Sequence, residues 1–99
     1  MIYSFKGHIP VVHESSFIHP QATVIGNVII GKNCYVGPSA VIRGDWGEII
    51  LEDGVNVQEN CTVHMFPGKS IRFRESAHLY LLLKTKTKTT GYCHRPSIG

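Results

Sequence analysis

Ninety-nine residues, 42% hydrophobic and 17% charged, limit the chain to one small domain with a core that is marginal for independent stability. The formal charge of +3 is unevenly placed: six Lys and Arg stand against seven Asp and Glu through His78, and four basic residues with no acid follow from Leu79, so the body has no nucleic-acid-binding surface by charge. No stretch approaches the roughly 18 consecutive apolar residues of a membrane span, and Met1-Ile2-Tyr3-Ser4-Phe5 lacks the basic start and apolar run of a secretion signal, which argues for a cytoplasmic protein.

Residues 1–17 mix aromatic and aliphatic side chains (Tyr3, Phe5, Ile9, Val11, Val12, Phe17) with Gly7 and Pro10. They suit an N-terminal cap over the exposed cross-section of a repeat structure. His8, His13 and His19 are read as surface or corner residues, because nothing in the spacing brings them together.

From Ile18 the aliphatic residues return every sixth position: Ile18, Val24, Ile30, Val36, Ile42, then, after a nine-residue step, Leu51, Val57 and Val63. Four residues beyond most of them sits a smaller one: Ala22, Val28, Cys34, Ala40, Val55, Cys61. Neither the 3.6 period of a helix nor the period of two of a half-buried strand requires a sixfold return, so the pattern is an internal repeat. Six residues make one short strand and one corner, and three such units close a triangular coil with the aliphatic residue inside. Coils stacked about 4.8 Å apart, the ordinary inter-strand distance, pile equivalent residues into apolar ladders. Glycine falls near corners at Gly26, Gly31 and Gly37, where positive φ or close backbone approach is least costly. A sandwich of short antiparallel strands is the competing fold, and it keeps no six-residue register over eight steps.

The nine-residue step contains Arg43-Gly44-Asp45-Trp46-Gly47-Glu48, and its three extra residues must bulge outward, where solenoids carry function. A second departure follows at Met65-Phe66-Pro67-Gly68, a Pro-Gly turn. Phe73, with Ala77 as its small partner, restarts the register, and Leu79 is its last apolar member. The expected fold is therefore all-β, a parallel β-helix of about three coils over residues 18–78, with a divergent tail at 79–99. Cys34 and Cys61 fall at inward positions, and three cysteines without C-x-x-C spacing indicate neither a disulfide framework nor a thiolate metal site.

The runs Val36-Gly37-Pro38, Ile42-Arg43-Gly44-Asp45 and Asn56-Val57-Gln58-Glu59-Asn60-Cys61-Thr62-Val63-His64 resemble the γ-class carbonic anhydrase family of hexapeptide-repeat proteins. With Ile9-Pro10-Val11-Val12 and Phe17-Ile18-His19-Pro20, the similarity is strongest to the branch of phenylacetic-acid-degradation and carnitine-operon accessory proteins. It covers residues 2 to 78 and stops there. The resemblance implies a left-handed β-helix, a homotrimer with zinc between subunits, and reversible hydration of carbon dioxide to bicarbonate. It makes His64 a zinc ligand, Gln58 and Glu59 the polar catalytic pair beside the metal, and Arg43 and Asp45 the subunit contact.

A catalytic zinc needs three protein ligands and one open position. The family draws the other two from a repeat of the form G-H-I-G-H-x-x-x-x-H, whose start matches Glu75-Ser76-Ala77-His78. His78 then falls on the non-ligand histidine, and the ligand positions fall on Leu81 and Lys86, neither of which coordinates zinc in the required way. As written, the chain reads as an incomplete carbonic anhydrase, and the abrupt change after His78 is the mark of out-of-frame translation. Two alternatives rest on the same repeat: an acyltransferase that binds acyl-coenzyme A and uses His64 as general base, and a non-catalytic assembly subunit.

Overall fold

A computed structural model of the chain describes residues 1–79 and the strand at 92–94. Four short strands open the chain: β1 (Ile2–Tyr3), β2 (Val11–Val12), β3 (Phe17–Ile18) and β4 (Thr23–Ile30). Then come β5 (Tyr35–Val36), β6 (Val41–Leu51), β7 (Asn56–Val57), β8 (Thr62–His64), β9 (Ser70–Phe73), β10 (His78–Leu79) and β11 (Tyr92–His94). All described pairings from β1 through β10 are parallel. The architecture is a left-handed parallel β-helix.

Its three faces each stack four rungs. The first face carries β1, the opening half of β4, the opening half of β6, and β8. The second carries β2, the closing halves of β4 and β6, and β9. The third carries β3, β5, β7 and β10. Residues 1–17, expected as a cap before the repeat, thus form the opening turn of the helix: Ile2 lies beside Val24 and Val12 beside Ile30. Counted with them, the solenoid makes about four turns, not three.

Register explains why the sixfold pattern packs. Val24 lies beside Ile42, eighteen positions on, so one coil is three hexapeptides. After the first bulge the step becomes twenty-one, with Ile30 beside Leu51 and Val36 beside Val57. After the second it becomes twenty-two, with Leu51 beside Phe73 and Val57 beside Leu79. The ladders stay aligned because the insertions are absorbed outside them. Val24, Ile30, Val36, Ile42, Leu51, Val57 and Val63 are all buried, and Ile18, nearer the N-terminal end, is partly buried against them. Ala22, Val28, Cys34, Ala40, Val55 and Cys61 fill the inner corners, and Ile49, Met65 and Ile71 complete the core.

The corners follow a rule the sequence hid. Asn33, Ser39, Gly54, Asn60 and Ser76 all have positive φ, and each immediately precedes an inward corner residue: Cys34, Ala40, Val55, Cys61 and Ala77. A left-handed residue there turns the chain sharply enough to point the next side chain inside, and short polar residues tolerate that conformation. Among the glycines expected at corners, Gly26 has φ of 76°, and a Cβ there would also lie 2.7 Å from the Gly44 carbonyl oxygen. Gly37 needs the close approach alone, with Glu59 N 3.0 Å from the same imagined atom.

Beyond β10 the expectation of a divergent tail falls largely outside the described residues. Within them, β11 pairs antiparallel with β8, Tyr92 beside His64 and His94 beside Thr62. It takes the edge of the first face that a further parallel rung would occupy.

Candidate functional site

The bulge in β6 builds one corner of the prism, between the first and second faces. Arg43 is the last outward residue before the chain leaves the first face, and it lies between Ile25 and His64 on the neighbouring rungs. Its Nη2 donates to Asp45 Oδ2 at 3.2 Å, and its guanidinium stands 5.7 Å from the Trp46 ring. The side chains are 36% and 18% exposed for Arg43 and Asp45, so the pair is sheltered on one side and open on the other. Asp45 Oδ1 is buried and makes no hydrogen bond among the described residues. Trp46 is exposed at the tip.

The second bulge stacks on the first. Lys69 accepts from the backbone N–H of Glu48 at 3.0 Å and donates its own to Phe66 O at 3.1 Å. Gly47 fits beneath, where a Cβ would meet Lys69 O and Phe66 O, each at 2.6 Å. His64, half-buried at the end of β8, meets the Phe66 ring edge-on with centroids 6.3 Å apart. Arg43, Asp45, Trp46, His64 and Phe66 therefore share one corner, and sequence adjacency explains only part of this. Arg43 and His64 are twenty-one positions apart and become neighbours through the register.

Gln58 and Glu59 do not join them. They follow β7 at the opposite corner, where the first face begins. Gln58 Nε2 donates to Asn56 Oδ1, so Asn56, to which sequence reasoning assigned no role, orients the Gln58 amide. Glu59 is exposed, and the described carboxylate partner of Arg43 is Asp45. Gln58 and His64 are six positions apart, up to roughly 20 Å of extended chain. Trp46 and Phe66 are the other functional candidates that sequence reasoning left unassigned; their signal was apolar bulk inside segments that break the register.

Among the described residues no three His, Cys, Asp or Glu side chains converge on a point that could hold a metal ion. The matched ligand positions 81 and 86 hold leucine and lysine and lie outside the described residues. A leucine side chain has no donor atom, and a lysine ammonium has no lone pair to give. Of the three positions matched to zinc ligands, then, His64 alone carries a donor side chain suited to zinc. Cys34 and Cys61 are buried thiols directed to carbonyls, Cys34 Sγ to Glu52 O at 3.1 Å and Cys61 Sγ to Leu79 O at 3.4 Å, and belong to the core as expected. No helix of the described residues is long and apolar enough to cross a membrane.

A three-sided solenoid of six-residue rungs, with its polar side chains gathered at bulged corners, defines a hexapeptide-repeat protein. Residues 9–44 match the family described as bacterial transferase hexapeptide (six repeats). The chain is similar to the carnitine operon protein CaiE of Proteus sp. (strain LE138), with 46% identity over 78 residues, which is 79% of this chain and 40% of the relative. The corresponding proteins of Salmonella newport (strain SL254) and Salmonella heidelberg (strain SL476) match at 46% over 77 residues, 78% of this chain and 39% of each relative. The chain thus spans about 40% of the length of these relatives. The matched repeat and the solenoid agree: this is a hexapeptide-repeat protein.

Proposed function

We infer that the protein is a cytoplasmic, γ-carbonic anhydrase-like subunit that assembles as a homotrimer through the Arg43–Asp45 corner and does not itself hydrate carbon dioxide. The observation that carries the assembly is the corner: a charged pair held at 3.2 Å, half open to solvent, beside an exposed tryptophan. An exposed pair of this kind is worth little to one chain's stability. A planar guanidinium with free donors is, however, well suited to bidentate pairing across a subunit contact. The separation of Gln58 and Glu59 from His64 points the same way, since a second copy can bring one corner of the first face to the other.

The absence of activity rests on the donors. His64 is the single residue matched to a zinc ligand, and a hydroxide-generating zinc needs three. Zinc per subunit by elemental analysis, with stopped-flow hydration of carbon dioxide, tests it. The expected outcome is substoichiometric zinc and no rate above background; one zinc per chain with turnover abolished by His64→Ala overturns it. Sedimentation tests the assembly: the wild type is expected as a trimer and Asp45→Ala as smaller species, and a wild-type monomer or an unchanged mutant trimer counts against it.

A second reading is favoured by the matched family's description as transferases. His64, half-buried at its corner, would then be the general base of an acyl transfer from acyl-coenzyme A. Saturable binding of acetyl-coenzyme A, lost in His64→Ala, would select this reading over a non-catalytic subunit.

A further inference from the structure

The corner between the second and third faces, away from Arg43 and His64, holds a hydroxyl and an imidazole in contact. His13 and Ser15 lie in its opening turn, and Ser15 Oγ is 2.8 Å from His13 Nδ1. The direction of the proton follows from a second bond at the same nitrogen. The Ser15 backbone N–H, which can only donate, reaches Nδ1 at 3.0 Å, so that nitrogen presents a lone pair and the ring proton sits on Nε2. The hydrogen in the 2.8 Å contact is therefore the hydroxyl's. Ser15 Oγ in turn accepts the Asn33 backbone N–H from the next rung at 3.0 Å. The backbone of the turn is held as well: His13 N–H donates to Ile30 O and Ser16 N–H to His13 O, each at 3.0 Å. Ser15 is nevertheless exposed, and His13 is half-buried.

The next corner of the same coil shows which part of this arrangement is structural. His19 Nδ1 accepts the Gln21 backbone N–H at 3.0 Å in the same way, so an imidazole that closes a turn two residues on is a device of the fold. Closing the turn needs no hydroxyl, and at His13 one is added. Ser16 gives the contrast: its Oγ donates to Gly31 O at 2.6 Å and accepts the Cys34 N–H at 2.8 Å, so it is committed to the backbone. A nucleophile within hydrogen-bond reach of a base that further contacts orient is the arrangement of an activated serine. We propose that Ser15 is a nucleophile, with His13 as its general base, that takes the acyl group of an activated aryl ester. Ser15 Oγ attacks the ester carbonyl carbon while its proton passes to His13 Nδ1. The bond from that carbon to the aryl oxygen then breaks, and the leaving aryl oxide takes the proton back from the imidazolium. The acyl group stays on Ser15 Oγ as an ester, and the neutral imidazole is regenerated. With the hydroxyl open to solvent, a good leaving group selects the donor. The site depends on neither zinc nor the trimer.

The probe is p-nitrophenyl acetate, incubated with the full chain and followed by peptide mass mapping. It is expected to leave an acetyl group on Ser15, with nitrophenolate released, before either Ser16 or Ser4, which is exposed on the same coil, is labelled. Ser15→Ala should abolish that label. His13→Asn separates the base from the turn: an asparagine carbonyl can accept the N–H two residues on and keep the turn closed, but it cannot take the hydroxyl's proton. This variant should acetylate Ser15 about a hundredfold more slowly, with its circular dichroism unchanged. His19→Asn makes the same change at the corner without a hydroxyl and should leave the rate at Ser15 as it is. Acetylation of wild-type Ser15 no faster than that of Ser4 refutes the proposal and needs no variant. So does a folded His13→Asn that acetylates Ser15 at the wild-type rate, since His13 is then a turn cap and nothing more.

Discussion

Ile42 is the residue whose truncation best measures what the ladders contribute. It is fully buried and stacked between Val24 on one rung and Val63 on another. Ile42→Ala removes three carbons, about 2.4 kcal/mol at roughly 0.8 kcal/mol per buried methylene. The cavity adds to this, because the rungs on either side are tied by backbone hydrogen bonds and cannot close upon it. Together the cost is about 3 to 4 kcal/mol, inside the 2–5 kcal/mol range for such truncations. A chain of this length is stable by roughly 5–15 kcal/mol in all, so the loss is a large share. Urea unfolding followed by far-ultraviolet circular dichroism should show a midpoint lowered by about 1 M or more with little change in slope. Protein concentration must be held fixed, since assembly adds to apparent stability. Ile25→Ala is the control: Ile25 is next to Val24 but faces outward and is only half-buried, and it should cost about 1 kcal/mol or less. If Ile42→Ala costs no more than Ile25→Ala, the inward ladder is not the source of stability.

Gly47→Ala should destabilise by about 1–3 kcal/mol, read from the same urea curves, because its Cβ would lie 2.6 Å from two carbonyl oxygens of the second bulge. A neutral result would mean that the two bulges are not packed on each other. Cys34 and Cys61 should resist a thiol reagent in the native state and react once urea unfolds the chain, since both are buried in the inner corners. Rapid native labelling of either, located by peptide mass, would place it outside the core.

Much of the fold was legible in the sequence for one physical reason. A six-residue return with small partners satisfies a triangular coil and suits neither a helix nor an alternating strand, so Val24 through Val63 could be assigned inward positions residue by residue. The need for three extra residues to bulge after Ile42 was equally local. The tertiary structure decided what depends on register. It joined residues 1–17 to the helix as its opening turn: Val12, six before Ile18, keeps the sixfold step and pairs with Ile30, whereas Ile2 lies twenty-two positions from Val24, off the eighteen-residue coil, so the sequence pattern does not reach it. It set Arg43 beside His64 and stacked the second bulge on the first, while leaving Gln58 and Glu59 at the far corner of the same face. The family resemblance assigned roles to these residues; only the rise of each coil and the width of each face determine which of them meet within one chain.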